Sequence, residues 1–431
     1  MARLLIDLSP LRISRDFRQL FIGQLVSGLG DQITVVAVGY EVFRLTHSSL
    51  QVGLVSIAQL VPLLAVSILG GPLVDLIDRR RLLIWCFVCA GLASGAITLD
   101  ALRAHPALWP FYVFTALEAG FSALTKPSQN AAIPSMVRPE KLTAAFGVRQ
   151  IMFQVGNVVG PGLAGIVIAQ FDVGIAFALD TASFFVAALA SASITAQPPI
   201  HSDRPNGMHA LREGLRYVIS ARILQGIFLA DLAAMVFGLP RALFPALAIN
   251  HFHAGATGLG ALYSAVGIGS FIAALTSGWL SHVSRQGRWV LIAVLTWGAS
   301  MIGFGVVAGL ALGAVFLGIA GYADVVSAIM RASMLQTVAP PAMRGRLSAI
   351  QTAVVTGGPR LGDLESGAVA GAIGVEGSVI TGGIVCIIAV LVVAWRLPSF
   401  ARYRLLVPHK EPDSARSTED DRDHEEHEHD G

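Results

Sequence analysis

The sequence predicts an all-α integral membrane protein of twelve transmembrane helices, arranged as two pseudo-symmetric six-helix bundles. Three observations carry that expectation. Of 431 residues, 54% are hydrophobic and only 13% charged, where a soluble domain carries about a quarter charged; mean hydropathy is +0.67. Basic residues gather in every second turn between apolar runs. Two stretches of the first half recur in the second at nearly one offset.

The opening residues carry Arg3, Arg12, Arg15 and Arg18 before an apolar run that starts near Leu20. With no small-residue cleavage site behind a short apolar region, they read as a retained segment and not a signal peptide. Apolar segments near the ~20 residues that a helix needs to cross a bilayer follow at 18–43, 50–74, 82–102, 109–133, 143–170, 174–195, 222–249, 256–281, 288–309, 311–337, 347–373 and 378–397. One set of turns between them holds Arg79 to Arg81, Arg138 with Lys141, Arg204 with Arg212 and Arg216, Arg285 with Arg288, and Arg344 with Arg346. The other set holds little beyond Arg44, Arg103, Asp172 and Glu376. By the positive-inside rule the first set, and with it both termini, is cytoplasmic.

The chain divides into 1–196, a bundle; 197–221, a cytoplasmic linker; 222–398, a second bundle; and 399–431, a tail. The linker begins Gln197-Pro-Pro and continues in an amphipathic run, His209 to Ile219, expected to lie on the membrane surface. The tail, rich in Asp, Glu and His, has too few apolar side chains to bury a core and is expected to be disordered. His424, His427 and His429 could hold a soft divalent metal loosely, but a solvated acidic tail is the preferred reading, with no metal site. Cys86, Cys89 and Cys386 lie in apolar spans and read as small buried hydrophobes.

Gly71-Gly-Pro-Leu-Val-Asp75-Leu-Ile-Asp78-Arg79-Arg80-Arg81 is answered by Gly278 to Arg288, 207 residues on. Glu140-Lys-Leu142-Thr-Ala-Ala is answered by Gly345-Arg-Leu347-Ser-Ala-Ile, 205 residues on. In the second copy His282 stands for Asp75 and Arg285 for Asp78. Three arginines alone would favour a plain cytoplasmic anchor. The glycine that admits a close backbone and the acid that can clamp a neighbouring helix end favour a gate.

A charge at bilayer depth needs a partner or a wet cavity. The candidates are Asp31, Glu118, Lys126, Arg149, Asp231, Arg241, Asp324, Arg331 and Asp363, with Arg360 and Glu365 beside the last. Lys126 maps onto Arg331 at the repeat offset, and Glu118 falls one residue short of Asp324. An acid followed by a base two turns later shares a helix face, so Asp324 with Arg331, and Glu118 with Lys126, are expected either to line the cavity facing substrate or to neutralise each other as intrahelical pairs. In the fifth span Gly156, Gly160, Pro161 and Gly165 combine a packing face with a kink: Pro161 cannot donate to the carbonyl of Asn157.

Gly71, Leu73, Asp75, Arg79 and Arg80 resemble the loop between helices 2 and 3 of the major facilitator superfamily; Leu76 and Asp78 depart from its pattern. Gly156 to Gly165 is similar to the signature of that superfamily's antiporting exporters. Thr46 to Leu54, Phe244 to Ala248, Ala274 to Gly278 with Leu280 and His282, Met334 to Thr337, and Gly362-Asp363 resemble its enterobactin-exporter branch. The resemblance implies a bacterial inner-membrane exporter that alternates access to a cavity between its bundles, driven by protons. A siderophore or similar metabolite is the expected substrate, with multidrug efflux as the alternative. No cofactor, no nucleic-acid partner and a monomer are expected. The chain has no G-x-x-x-x-G-K-[ST], no G-x-S-x-G and no His-rich site in its spans. An ATPase, and a membrane enzyme or assembly factor, are therefore disfavoured.

Overall fold

The computed structural model describes residues 7–198 and 207–404, with the backbone alone at 67–75 and 207–211. After a short α1 (Ser9–Ile13) come α2 (Arg15–Thr46), α3 (Ser49–Leu76), α4 (Arg79–Ala101), α5 (Trp109–Met136), α6 (Leu142–Gln170) and α7 (Val173–Ala192). The linker helix α8 (Gly207–Ser220) leads to α9 (Arg222–Phe237), a one-turn α10 (Phe244–Ala246), α11 (Gly255–Thr276), α12 (Gln286–Val306), α13 (Leu310–Val338), α14 (Arg344–Ile373), α15 (Val375–Arg396) and a short α16 (Pro398–Ala401). Ten stretches among the described residues are long and apolar enough to cross a bilayer. With 28 and 30 residues, α5 and α14 match them in length but hold no stretch apolar enough to be counted with them.

Packing repeats between the halves. In the first, α2 packs on α6 and α7, α3 on α5, and α4 on α5 and α7. In the second, α9 packs on α14 and α15, α11 on α13, and α12 on α13 and α15. These are the same pairings carried six spans on, the arrangement of parallel repeats about an axis along the membrane normal. The bundles meet through α6 on α11 and α3 on α14, which are themselves equivalent. The echo at Glu140 and Gly345 is local structure too. A proline-led 3-10 turn, Pro139–Lys141 or Pro341–Met343, precedes α6 and α14 alike.

Helix ends explain the arginine-rich loop. Asp78 caps α4 by accepting from the backbone N–H groups of Arg80 (2.8 Å) and Arg81 (3.4 Å). Arg79 and Arg80 donate to the carbonyls of Ala131 and Ala192, near the C-terminal ends of α5 and α7, where the helix dipole favours cations. At the opposite end His251 joins Glu376 (3.0 Å) and the carbonyl of Val307 (2.9 Å), tying three connections together. Gly374, at φ +86°, supplies the left-handed turn between α14 and α15. Asp7 pairs with Lys141 at 2.8 Å, and that bond holds its carboxyl below the usual carboxylate range.

Two expectations change. The run 222–249 is not one helix: α9 stops at Phe237, and a 3-10 turn (Arg241–Leu243), α10 and a π turn (Leu247–His251) follow. Pro240 and Pro245 cannot donate to a helical ladder. Nor does α8 only line the membrane surface. It packs on α14, α9 and α3, with Glu213 on Arg346 at 2.7 Å. Leu215 and Ile219 stay exposed on its other side.

Candidate functional site between the bundles

The break after α9 leaves backbone groups without helical partners at mid-depth, and side chains take them up. Asp363 of α14 accepts from the N–H of Ala242 at 3.0 Å, and the indole N–H of Trp297 donates to the carbonyl of Gly238. Asp363 also accepts from the hydroxyl of Ser56 on α3 at 2.7 Å. One buried carboxylate therefore joins the broken helix to the opposite bundle. Around it backbones approach closely. A Cβ on Gly53 would strike the carbonyl of Asp363, and one on Gly367 would stand 2.6 Å from the carbonyl of Ser49.

The α6–α11 contact is built from the glycine–proline motif. Gly160 lies against Gln32 of α2, and Gly165 against Ala256 and Gly260 of α11. The carbonyl of Asn157, which Pro161 leaves free, is met by Gly267, where a Cβ would come within 2.7 Å. The hydroxyl of Ser264 donates to the carbonyl of Val158 across the same seam at 2.9 Å. The motif thus serves its own bundle on one face and the partner bundle on the other.

The two ends of this seam differ. Contacts concentrate from mid-depth towards the end that holds Ser49, Gly165, Ala256 and Gly367. The bundles are closed at the end that holds Ser49 and Gly367; towards the arginine-rich end α8 packs on both α3 and α14.

The intrahelical pairs expected from spacing do not form. Arg331 pairs with Asp231 of α9 at 2.7 Å, both side chains 2% exposed. Seven residues along a helix separate Cα atoms by about 10.5 Å, so a carboxylate on the facing helix reaches the guanidinium first. Asp324 instead has Arg331, Asp231 and Arg241 as electrostatic neighbours. The neighbours of Glu118 are Asp180 and Asp31, and Lys126 acts on Asp31 of α2. Lys126 and Arg241 are exposed and Arg149 is half-buried. Arg360 donates to the carbonyl of Thr356 at 2.7 Å, beside Asp363 and Arg241. Next to Asp31, Gln32 donates to Asn157 at 2.8 Å. The side chains of Gly71 and Asp75 lie outside the described residues, so the gate expected there is not described.

Three buried acids escaped the sequence reading. Glu41 is paired with Arg44, and Asp100 with Arg103 at 3.3 Å. An acid three residues before a base was the signal that could have found them. Asp180 of α7 is fully buried and accepts from Ser94 at 2.8 Å.

Two linked six-helix bundles, with charged groups between them at mid-depth and the seam closed at one end, define a polytopic membrane carrier. A family model described as transmembrane secretion effector matches residues 6–422, and the chain belongs to that family of the major facilitator superfamily. It is 29% identical over 358 residues to the enterobactin exporter EntS of Citrobacter koseri, covering 83% of this chain and 86% of that one. It is 30% identical, at the same coverage, to EntS of Escherichia coli. Among solved structures, the nucleoside transporter NupG superposes with a TM-score of 0.74 at 13% identity, covering 90% of this chain and 100% of that one. A bacterial homologue of the lysosomal transporter Spinster gives 0.65 at 15% identity, covering 91% and 98%. The chain is a multi-pass membrane transporter and not an enzyme.

Proposed function

We propose that this transporter is a proton-coupled exporter of a siderophore or similar small metabolite, working by alternating access in the bacterial cytoplasmic membrane. The observation that carries the reading is the likeness to enterobactin exporters, which spans most of the chain. Closure of the seam at the end opposite the arginine-rich turns supports alternating access, since one of the two states of such a cycle requires it. Buried carboxylates at mid-depth support proton coupling, since a carboxyl group that changes partners as the bundles rock can load a proton on one side and release it on the other.

The units that rock are 1–196 and 222–398, with 197–221 as the strap and 399–431 trailing. Both termini face the cytoplasm, because the arginine-rich turns share their side. On the other side Arg44 and Arg103 are each already paired with an acid. Asp75 gates the cytoplasmic end, and the charged set from Asp31 to Asp363 lines or supports the transport path. Small-molecule substrate, protons and lipid are the partners, and the monomer is the working unit.

Siderophore content of iron-starved cells with and without the chain tests the substrate. The reading expects intracellular retention and a depleted medium when the chain is missing. Unchanged secretion, with new sensitivity to lipophilic drugs, would transfer the assignment to multidrug efflux.

A further inference from the structure

The mid-depth acids are divided unequally between the bundles. In the second bundle three acids have arginine within reach: Asp231 has Arg331, Asp324 has Arg331 and Arg241, and Asp363 has Arg241 and Arg360. Those three acids and three arginines are neutral with no proton added, while Glu365 beside them is half-buried with no arginine acting on it. In the first bundle Asp31, Glu118 and Asp180 face one another, and Lys126, acting on Asp31, is the one cation that acts on any of them among the described residues.

We propose that the transported proton rests in the first bundle, on Asp180 and Glu118 as a carboxyl–carboxylate pair, with Asp31 linking that pair to the cavity. The proposal rests on the proton-coupled reading above. Glu118 is 8% exposed and Asp180 fully buried; Oε2 of Glu118 has no hydrogen-bond partner in the protein, while the hydroxyls of Ser94, Thr34 and Ser183 surround the carboxyl of Asp180. A buried acceptor with nothing to accept is costly, and a proton on it removes both the charge and the deficit. Three carboxylates against one ammonium leave surplus negative charge that hydrocarbon surroundings do not tolerate. The step is proton transfer from a hydronium ion to a carboxylate: an O–H bond forms on the carboxyl, the hydronium O–H bond breaks, and water is left.

Every element beside Asp180 fits this role. From α4, Ser94 donates to Oδ2 and itself accepts from Thr181 at 3.0 Å, which fixes the carboxyl. From α2, Thr34 donates to it and Asp31 stands beside it; from α7 itself, Ser183 donates; from α5, Glu118 stands beside it; among the described residues no cation acts on it directly. The backbone of α2 passes over Oδ1, which a Cβ on Gly30 would meet at 2.5 Å. That same helix holds Gln32 against Asn157 of α6, which packs on α11 of the other bundle, so movement at the seam reaches α2, and with it Asp180, through α6.

Infrared spectroscopy of the purified full chain in lipid discs tests the site without any substrate. The wild type should give a protonated-carboxyl stretching band at neutral pH. The band should be lost in Asp180→Asn, displaced in Ser94→Ala and untouched in Asp324→Asn. Should Asp180→Asn not fold, Glu118→Gln and Ser94→Ala carry the same comparison. A band lost in Asp324→Asn and unchanged in the first-bundle variants would overturn the assignment. In proteoliposomes with enterobactin as probe, Asp180→Asn should lose gradient-driven uptake and keep exchange at equal pH. If the wild type itself ignores the gradient, the proton-coupled reading fails while the infrared result still locates the proton.

Discussion

Arg331 cannot shed its proton, so at 2% exposure its place depends on which carboxylate reaches it. Replacing Asp231 by Asn leaves that guanidinium without its bonded partner, and removing one member of a buried pair costs about 3–5 kcal/mol. Thermal unfolding in detergent should show the loss, and the double change Asp231→Asn with Arg331→Gln should recover much of it. A single variant that melts with the wild type would contradict the pairing. Helical spacing puts residues on one face, but a face has several neighbours, and the sequence does not say which helix meets it. Asp180 was missed for a related reason. It has no base at helical spacing along α7, and its significance lies in Asp31 and Glu118, brought from two other helices.

Elements carry the seam. The small residues of the motif Gly156 to Gly165 and the carbonyl that Pro161 leaves free were readable from composition and spacing, because both follow from backbone chemistry at fixed positions. Its two-sidedness was not, since that depends on α2 and α11 arriving on opposite faces. The break after α9 had its signal in Pro240 and Pro245, but an apolar run hides it. Gly165→Val should hinder closure: its branched side chain meets the backbone of Ala256, Thr257 and Gly260, which cannot turn aside as a flexible side chain can. Transport should fall while the protein remains folded, and full activity in this variant would show that the seam opens without needing to close there. Ser56→Ala is milder. It removes a hydrogen bond to a carboxylate, worth about 1.5–3 kcal/mol, from the closed end only, so it should shift the population towards the state open at that end.

At the scale of the molecule, the two-bundle plan was legible because duplication left matching loops at matching offsets and alternating charge in the turns. The conformation was not, because one sequence serves every state of a cycle. Spin labels at Leu50 and Ile373 report on the closed end, and labels at Phe146 and Leu275 on the opposite one; all four side chains are exposed. As substrate and pH are varied, the first distance should lengthen when the second shortens, and both moving in the same sense would contradict alternating access. The most direct test of the whole account is flux in everted membrane vesicles given enterobactin outside. An acidic lumen should drive uphill uptake that a protonophore abolishes and ATP alone does not restore. Uptake indifferent to the pH gradient would contradict a proton-driven exporter.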